Sequence, residues 1–124
     1  MMRKKLASLG MTVLLLAGLV ATSQTVSAKE MSIQERIAAG KKIAWNTRGG
    51  NCLACHVMDN GELPGNTAPA LMMMKQRYPD WNDLRAQIWD PRVRNPNAFM
   101  PPFGAHRILS EREIDLVTDY IHSL

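Results

Sequence analysis

Cysteine is scarce in this chain: there are two in 124 residues, Cys52 and Cys55, and both lie in one short stretch. A framework of structural disulfides is therefore excluded, since such frameworks need several cysteines along the chain. A structural zinc site would need further Cys or His ligands at regular spacing, and these are missing. If a cofactor takes both thiols, no cysteine is left to attack, carry or exchange sulfur.

A strong excess of one charge is also missing once the N-terminal segment is set aside. The chain has 15 Lys and Arg against 11 Asp and Glu, a formal net charge of +4. Three of the basic residues, Arg3, Lys4 and Lys5, lie in the first 28 residues, which leaves 12 against 11 in residues 29–124. This near balance gives no support for nucleic-acid binding.

The chain has no apolar run that matches a typical membrane-spanning helix of about 20 residues. The uncharged stretch 6–21 is interrupted by Ser, Gly and Thr, follows a basic start, and is followed by Val26-Ser27-Ala28, an Ala-x-Ala-like cleavage site. We therefore predict that residues 1–28 are a secretory signal peptide, cleaved after Ala28, and that the product is periplasmic without a stable membrane anchor. The alternative is an uncleaved anchor.

The two cysteines belong to the sequence Cys52-Leu53-Ala54-Cys55-His56. This Cys-x-x-Cys-His pattern is typical of c-type haem attachment. Two intervening residues in a helical turn place both thiols on one side of the backbone, where they can reach the same edge of one haem. His56 is then predicted to be the proximal axial ligand of the iron. The alternatives are a bare dithiol, which in thioredoxin-like proteins needs a βαβ setting, and a non-haem metal-binding module.

Residues 29–124 are predicted to form one monohaem domain. Their 96 residues suffice for a single domain, but a domain of this size has a marginal core. All of the aromatic residues (three Trp, two Tyr and two Phe) lie in this part. A covalently held haem would be a large apolar body for them to contact. We therefore expect the form without haem to be poorly folded.

Helices are predicted at both ends of this domain. Ser32 and Ser110 are each followed three residues later by a glutamate, Glu35 and Glu113, which is the spacing of a capping box. Apolar residues at helical spacing follow each box. The first helix is expected to run toward 48–50, where two glycines let the chain turn before the haem motif.

The middle of the domain is predicted to be rich in loops. Segment 58–78 contains many turn-forming residues and is expected to be a loop with a short helix over 71–76. Asp80 is expected to cap a second helix over 81–90, and segment 96–104 is expected to be extended around its two consecutive prolines, Pro101 and Pro102. The fold class is therefore all-α, with terminal helices and a loop-rich middle around one haem.

Met100 is predicted to be the second axial ligand of the iron. It lies 44 residues after His56, beside two prolines that stiffen the backbone. A rigid loop can hold a thioether against iron, and His/Met ligation is established for haem proteins that transfer electrons. The alternative is bis-His ligation through His106, while His122, in the last helical turn, is expected at the surface.

The ring of His56 is expected to be oriented by a hydrogen bond. Proximal histidines are usually held by a hydrogen bond from the ring nitrogen that does not face the metal. A carbonyl in the loop Thr67-Ala68-Pro69 is a candidate acceptor. The alternative is that Pro69 only shapes a turn.

The haem motif, the later Met-Pro-Pro and the C-terminal helix together resemble class I cytochrome c. Four stretches resemble one member group more closely, the small cytochrome subunit (SoxX) of the SoxAX sulfur-oxidation complex. These are GNCLACH at 50–56, GELPGN at 61–66, LRAQIWD at 84–90 and MPPFGAHRIL at 100–109. The chain departs from the Gly-Pro-x-Leu that often follows the haem motif in such cytochromes, since APAL stands there instead.

The resemblance implies an electron-transfer subunit of a heterodimeric oxidoreductase, an L-cysteine S-thiosulfotransferase. A larger, SoxA-like cytochrome subunit would be its partner. Together they would join thiosulfate to a cysteine of a sulfur-carrier protein and pass the electrons to a downstream cytochrome. The resemblance also implies axial ligation of one covalent haem c by His56 and Met100. No catalytic residue is expected on this chain, because Cys52 and Cys55 are its only thiols.

A free-standing soluble monohaem cytochrome c that shuttles electrons is the alternative function. Such a shuttle would share every haem-binding residue with the subunit. The two functions differ in whether the protein forms a stable complex with a second cytochrome.

Overall fold

Capped helices and long connecting loops make up the whole of the described chain. A computed structural model describes residues 30–124, so the predicted signal peptide lies outside the described residues. Within 30–124 the secondary structure is helical, with no strand beyond an isolated bridge. This confirms the all-α prediction. The helices are α1 (Ile33–Trp45), α2 (Met74–Arg77), α3 (Trp81–Trp89) and α4 (Glu111–His122), with 3₁₀ turns at Cys52–Ala54 and Pro91–Val93.

The two predicted capping boxes are present at the starts of α1 and α4. At α1 the Glu35 carboxylate accepts from the Ser32 amide at 2.7 Å, and the Ser32 hydroxyl accepts from the Glu35 amide at 3.3 Å. Ser110 and Glu113 make the same pair of bonds at α4. These hydrogen bonds lower the pKa of both glutamates, because they favour the charged carboxylate.

Two helix boundaries differ slightly from the sequence prediction. The short helix expected over 71–76 is α2, which begins only at Met74 because Met73 has a left-handed backbone (φ 54°). Helix α3 ends at Trp89, since Asp90 is extended before Pro91, the conformation that a following proline favours. Both shifts result from local backbone geometry.

Helices α1 and α4 cross at close range, and α3 packs on α4 beside them. The crossing is possible because Gly40 of α1 has no side chain where it meets the Leu116 carbonyl of α4. Nearby, the Trp45 indole donates to the Tyr120 hydroxyl at 3.2 Å. The core is formed by the inner faces of these helices, and it includes Ala44, Leu84, Ile88, Ile114, Val117 and Ile121.

The crossing predicts a strong effect of Gly40→Ala on stability. A Cβ at Gly40 would overlap the Leu116 carbonyl, which is backbone and cannot rotate away. Such overpacking typically costs ~1–3 kcal/mol, more than the ~1 kcal/mol that alanine gains over glycine in helix propensity. We expect the melting temperature of the holoprotein to fall, by about 4–8 °C for each kcal/mol.

Gly49→Ala is the matched control for this prediction. A Cβ at Gly49 would meet its nearest neighbour at 3.5 Å, an ordinary contact. Its melting temperature should therefore stay close to that of the unchanged protein. Equal melting temperatures for the two variants would contradict the described crossing.

Candidate haem-binding site

A cleft of about 470 Å³ lies between the loops and the inner faces of α3 and α4. Its size falls in the range of cofactor pockets, about 300–1,000 Å³. Most of its wall is apolar, as a flat porphyrin requires. The apolar lining includes Leu71, Leu84, Ile88, Phe103, Val117 and Ile121.

The haem motif forms a single tight turn at one side of this cleft. Asn51 starts the turn with a left-handed backbone (φ 47°), and Cys52–Ala54 form the predicted helical turn. Cys52 lines the cleft and is half-buried, whereas Cys55 is exposed three residues later on the same turn. Burial raises the pKa of the Cys52 thiol to about 11, so in the polypeptide alone this thiol is protonated at neutral pH.

His56 follows the turn and points one ring nitrogen at the loop beside it. Its Nδ1 lies 2.7 Å from the Pro69 carbonyl oxygen. Because a carbonyl can only accept, Nδ1 carries the proton, and the lone pair is on Nε2. This confirms the predicted hydrogen bond to loop 67–69, despite the departure from Gly-Pro-x-Leu.

The loop that supplies this carbonyl is fixed to the haem motif along its length. Backbone hydrogen bonds hold it at three points: Gly65 N to Leu53 O at 2.7 Å, Ala68 N to Cys55 O at 3.1 Å and Leu71 N to Val57 O at 2.8 Å. In addition, Arg77 donates to the Ala70 carbonyl at 2.7 Å. The position of the Pro69 oxygen, and with it the orientation of His56, is therefore set by the backbone of the motif itself.

Met100, the candidate for the second axial ligand, lies in the wall of the cleft. It is half-buried and lines the same cleft as His56. Met74 also lines the cleft, but it is buried in the core and its sulfur accepts from Arg77 at 3.4 Å. Met58 is buried without lining the cleft, and Met72 and Met73 are exposed. The cleft thus brings an imidazole and one uncommitted thioether together.

The sequence matches the cytochrome c family model over residues 37–124. The chain belongs to the cytochrome c family. A search of curated proteins found no match to the chain. Membership makes the protein an electron-transfer haem protein with covalently bound haem c, and the described fold is the all-α fold of class I cytochrome c.

The residues of the cleft fit that haem. Two thiols on one turn suit attachment at one ring edge, and the Nε2 lone pair of His56 suits iron. The apolar wall would cover much of the ring and limit its contact with water. Bound there, the haem supplies one-electron redox chemistry, and the protein supplies orientation and electrostatics.

The two remaining histidines of this cytochrome lie away from the cleft. His106 is exposed and is not part of the lining; its Nε2 lies 3.3 Å from Arg92 Nη1. Its placement therefore argues against bis-His ligation. His122 is half-buried, and its Nε2 lies 2.9 Å from the Tyr78 carbonyl. His122 lies in the last turn of α4 as predicted, and it is partly covered because α4 packs against the loop that carries Tyr78.

Several polar residues of the cleft were missed at the sequence level. Arg77, Gln87 and Asn95 line it together with the apolar side chains. Nothing in the local sequence identifies them, because they reach the cleft through the packing of α2 and α3 against the loops.

Among the helices of residues 30–124, none is both long and apolar enough to cross a membrane.

Proposed function

We propose that this cytochrome is the electron-transfer subunit of a periplasmic, thiosulfate-oxidising heterodimer of the SoxAX type. The observation that carries the proposal is the resemblance to SoxX of four stretches, at 50–56, 61–66, 84–90 and 100–109. The thiols agree with it, since Cys52 and Cys55 are the only cysteines of the chain and both are assigned to the haem.

The chemistry divides naturally between two subunits. Joining thiosulfate to a thiol forms an S–S bond and releases one proton and two electrons. The thiol must come from the carrier protein, and any cysteine that handles sulfur in the enzyme must belong to the larger subunit. A single haem takes one electron at a time, so this subunit would pass the two electrons on in two steps.

His56 and Met100 are the proposed axial ligands in this subunit. Both line the same cleft, and the Pro69 carbonyl fixes which nitrogen of His56 is available. A neutral imidazole and a thioether favour the reduced iron more than two imidazoles do, which raises the reduction potential. A raised potential suits an acceptor of electrons from sulfur.

The surface next to the haem motif is the proposed contact with the larger subunit. Leu63 is 98% exposed and has a left-handed backbone (φ 48°), although it precedes a proline. Both features are unfavourable for an isolated domain, and such strain is characteristic of functional surfaces. The amide of Gly65, two residues on, is bonded to Leu53 of the haem motif, so a partner at Leu63 would lie close to the haem edge.

Co-expression with the larger cytochrome subunit tests the proposal. We expect a one-to-one complex that survives size-exclusion chromatography, and thiosulfate-dependent turnover in the presence of the carrier protein. A protein that stays monomeric beside its candidate partner would favour the free-standing shuttle.

We further expect Leu63→Asp to weaken that complex at least about tenfold, because a charge would be buried without a partner at the proposed contact. Because Leu63 is exposed, haem content and melting temperature should not change. Val93→Asp is the matched control, since Val93 is 83% exposed and does not line the cleft. Isothermal calorimetry on the two variants measures the difference; equal affinities would contradict the proposed contact.

A further inference from the structure

Trp89 lies outside the haem cleft but contacts the loop that carries Met100. Its carbonyl accepts hydrogen bonds from the amides of Gly104 and Ala105, at 3.0 and 3.2 Å. Its indole ring lies against Gly104 so closely that a Cβ on that glycine would overlap the ring. The loop is therefore fixed to Trp89 by both backbone and side chain.

The carbonyl of Trp89 is available because of where α3 ends. The last carbonyls of a helix have no partner within the helix. Asp90 is extended and Pro91 has no N–H, so the chain beyond α3 cannot supply a donor by continuing the helix. The Met100 loop supplies the missing donors.

The ring of Trp89 also contacts Arg85 of its own helix. The Arg85 guanidinium lies over it, 5.3 Å from the ring centroid and one helical turn earlier. Arg85 Nε in turn donates to Asp115 of α4 at 2.6 Å. The ring is thus fixed relative to both α3 and α4, which form the wall of the cleft.

The segment between this contact and Met100 is stiff. Pro101 and Pro102 fix two backbone torsions immediately after Met100, and Pro102 and Phe103 are buried. The Phe103 carbonyl also accepts from the amides of Ile108 and Leu109, at 2.9 and 3.1 Å, which closes the loop behind it. A displacement at Gly104 is therefore transmitted toward Met100.

We propose that Trp89 is a positioning residue for the Met100 thioether: by fixing Gly104, it sets how firmly the sulfur is held against the haem iron. The proposal rests on the axial ligation proposed above. Trp89 does not line the cleft, so it acts through the loop alone. The Arg85–Trp89–Gly104 contact then determines how easily an external ligand replaces the methionine.

Gly104→Ala and Trp89→Phe in the oxidised holoprotein test this inference. The first forces the loop away from the ring, and the second keeps the backbone bonds but removes part of the ring contact. We expect the imidazole concentration that displaces half of the methionine to be about tenfold lower in either variant. The titration is monitored by the loss of the far-red sulfur-to-iron band. Gly49→Ala, whose new Cβ makes only ordinary contacts, should titrate like the unchanged protein.

The results separate this inference from the ligand assignment. If the band is present and imidazole affinity in both variants equals that of the unchanged protein, the positioning role is overturned and Met100 ligation stands. If the unchanged protein has no far-red band, Met100 ligation and the positioning role both fail. Should Gly104→Ala not fold, Trp89→Phe decides alone, since a smaller ring fits the same space.

Discussion

Met100→Ala is expected to abolish the far-red sulfur-to-iron band of the oxidised protein and to lower its reduction potential. Met100 is the proposed thioether ligand, and it lines the same cleft as His56. Its loss leaves a site for water or an external ligand, and both stabilise the oxidised iron relative to a thioether. Axial ligands span roughly 0.8 V in haem proteins, so the decrease should be large compared with the error of a potentiometric titration.

Two other methionines are controls for this prediction. Met72 is exposed, so Met72→Ala should leave both the band and the potential unchanged. Met74 lines the cleft but is buried in the core, so Met74→Ala should lower stability and keep the band. Persistence of the band in Met100→Ala, or its loss in Met74→Ala alone, would show that the ligand is misassigned.

The double variant Cys52→Ala/Cys55→Ala is expected to lose the covalent haem and, with it, cooperative folding. The cleft of about 470 Å³ has a largely apolar wall that includes Leu84, Phe103 and Val117. Without haem this wall would face water, and the burial of apolar surface is the dominant favourable contribution to folding. The whole free energy of unfolding of a typical domain is only about 5–15 kcal/mol.

Circular dichroism melting measures this effect, with haem staining after denaturing electrophoresis as the measure of attachment. Cys55→Ala is an informative control, because Cys52 can still form one thioether and the exposed Cys55 side chain adds little to the core. We expect this single variant to keep a cooperative transition. A native-like transition in the double variant would show that the polypeptide folds without haem.

Features that depend on neighbouring residues were predictable from the sequence. The capping boxes at Ser32 and Ser110 and the haem-motif turn are confirmed, because each forms among residues three to four positions apart. The hydrogen bond from His56 to the Pro69 carbonyl was also predictable, since the loop follows directly on the motif. Met100 could be proposed because two prolines next to a methionine are a local signal of a rigid loop.

Features that depend on long-range packing were not predictable. The contact between Trp89 and Gly104 joins the end of α3 to a distant loop. Its one local signal is Gly104 itself, because the lack of a side chain there permits the close approach of the ring. The bond of His122 to the Tyr78 carbonyl likewise requires α4 to pack against the loop before α3. Helix α2 begins only at Met74 because Met73 has a left-handed backbone. The sequence could not predict this conformation, because methionine rarely adopts it.

The most direct test of the proposed function is the rate at which a downstream cytochrome is reduced in the presence of thiosulfate. The assay contains the larger subunit and the carrier protein, and the rate is measured with and without this chain. The account predicts rapid reduction with the complete complex, and much slower reduction when this chain is omitted or carries Met100→Ala. Equal rates with and without the chain would contradict its assignment as the electron-transfer subunit.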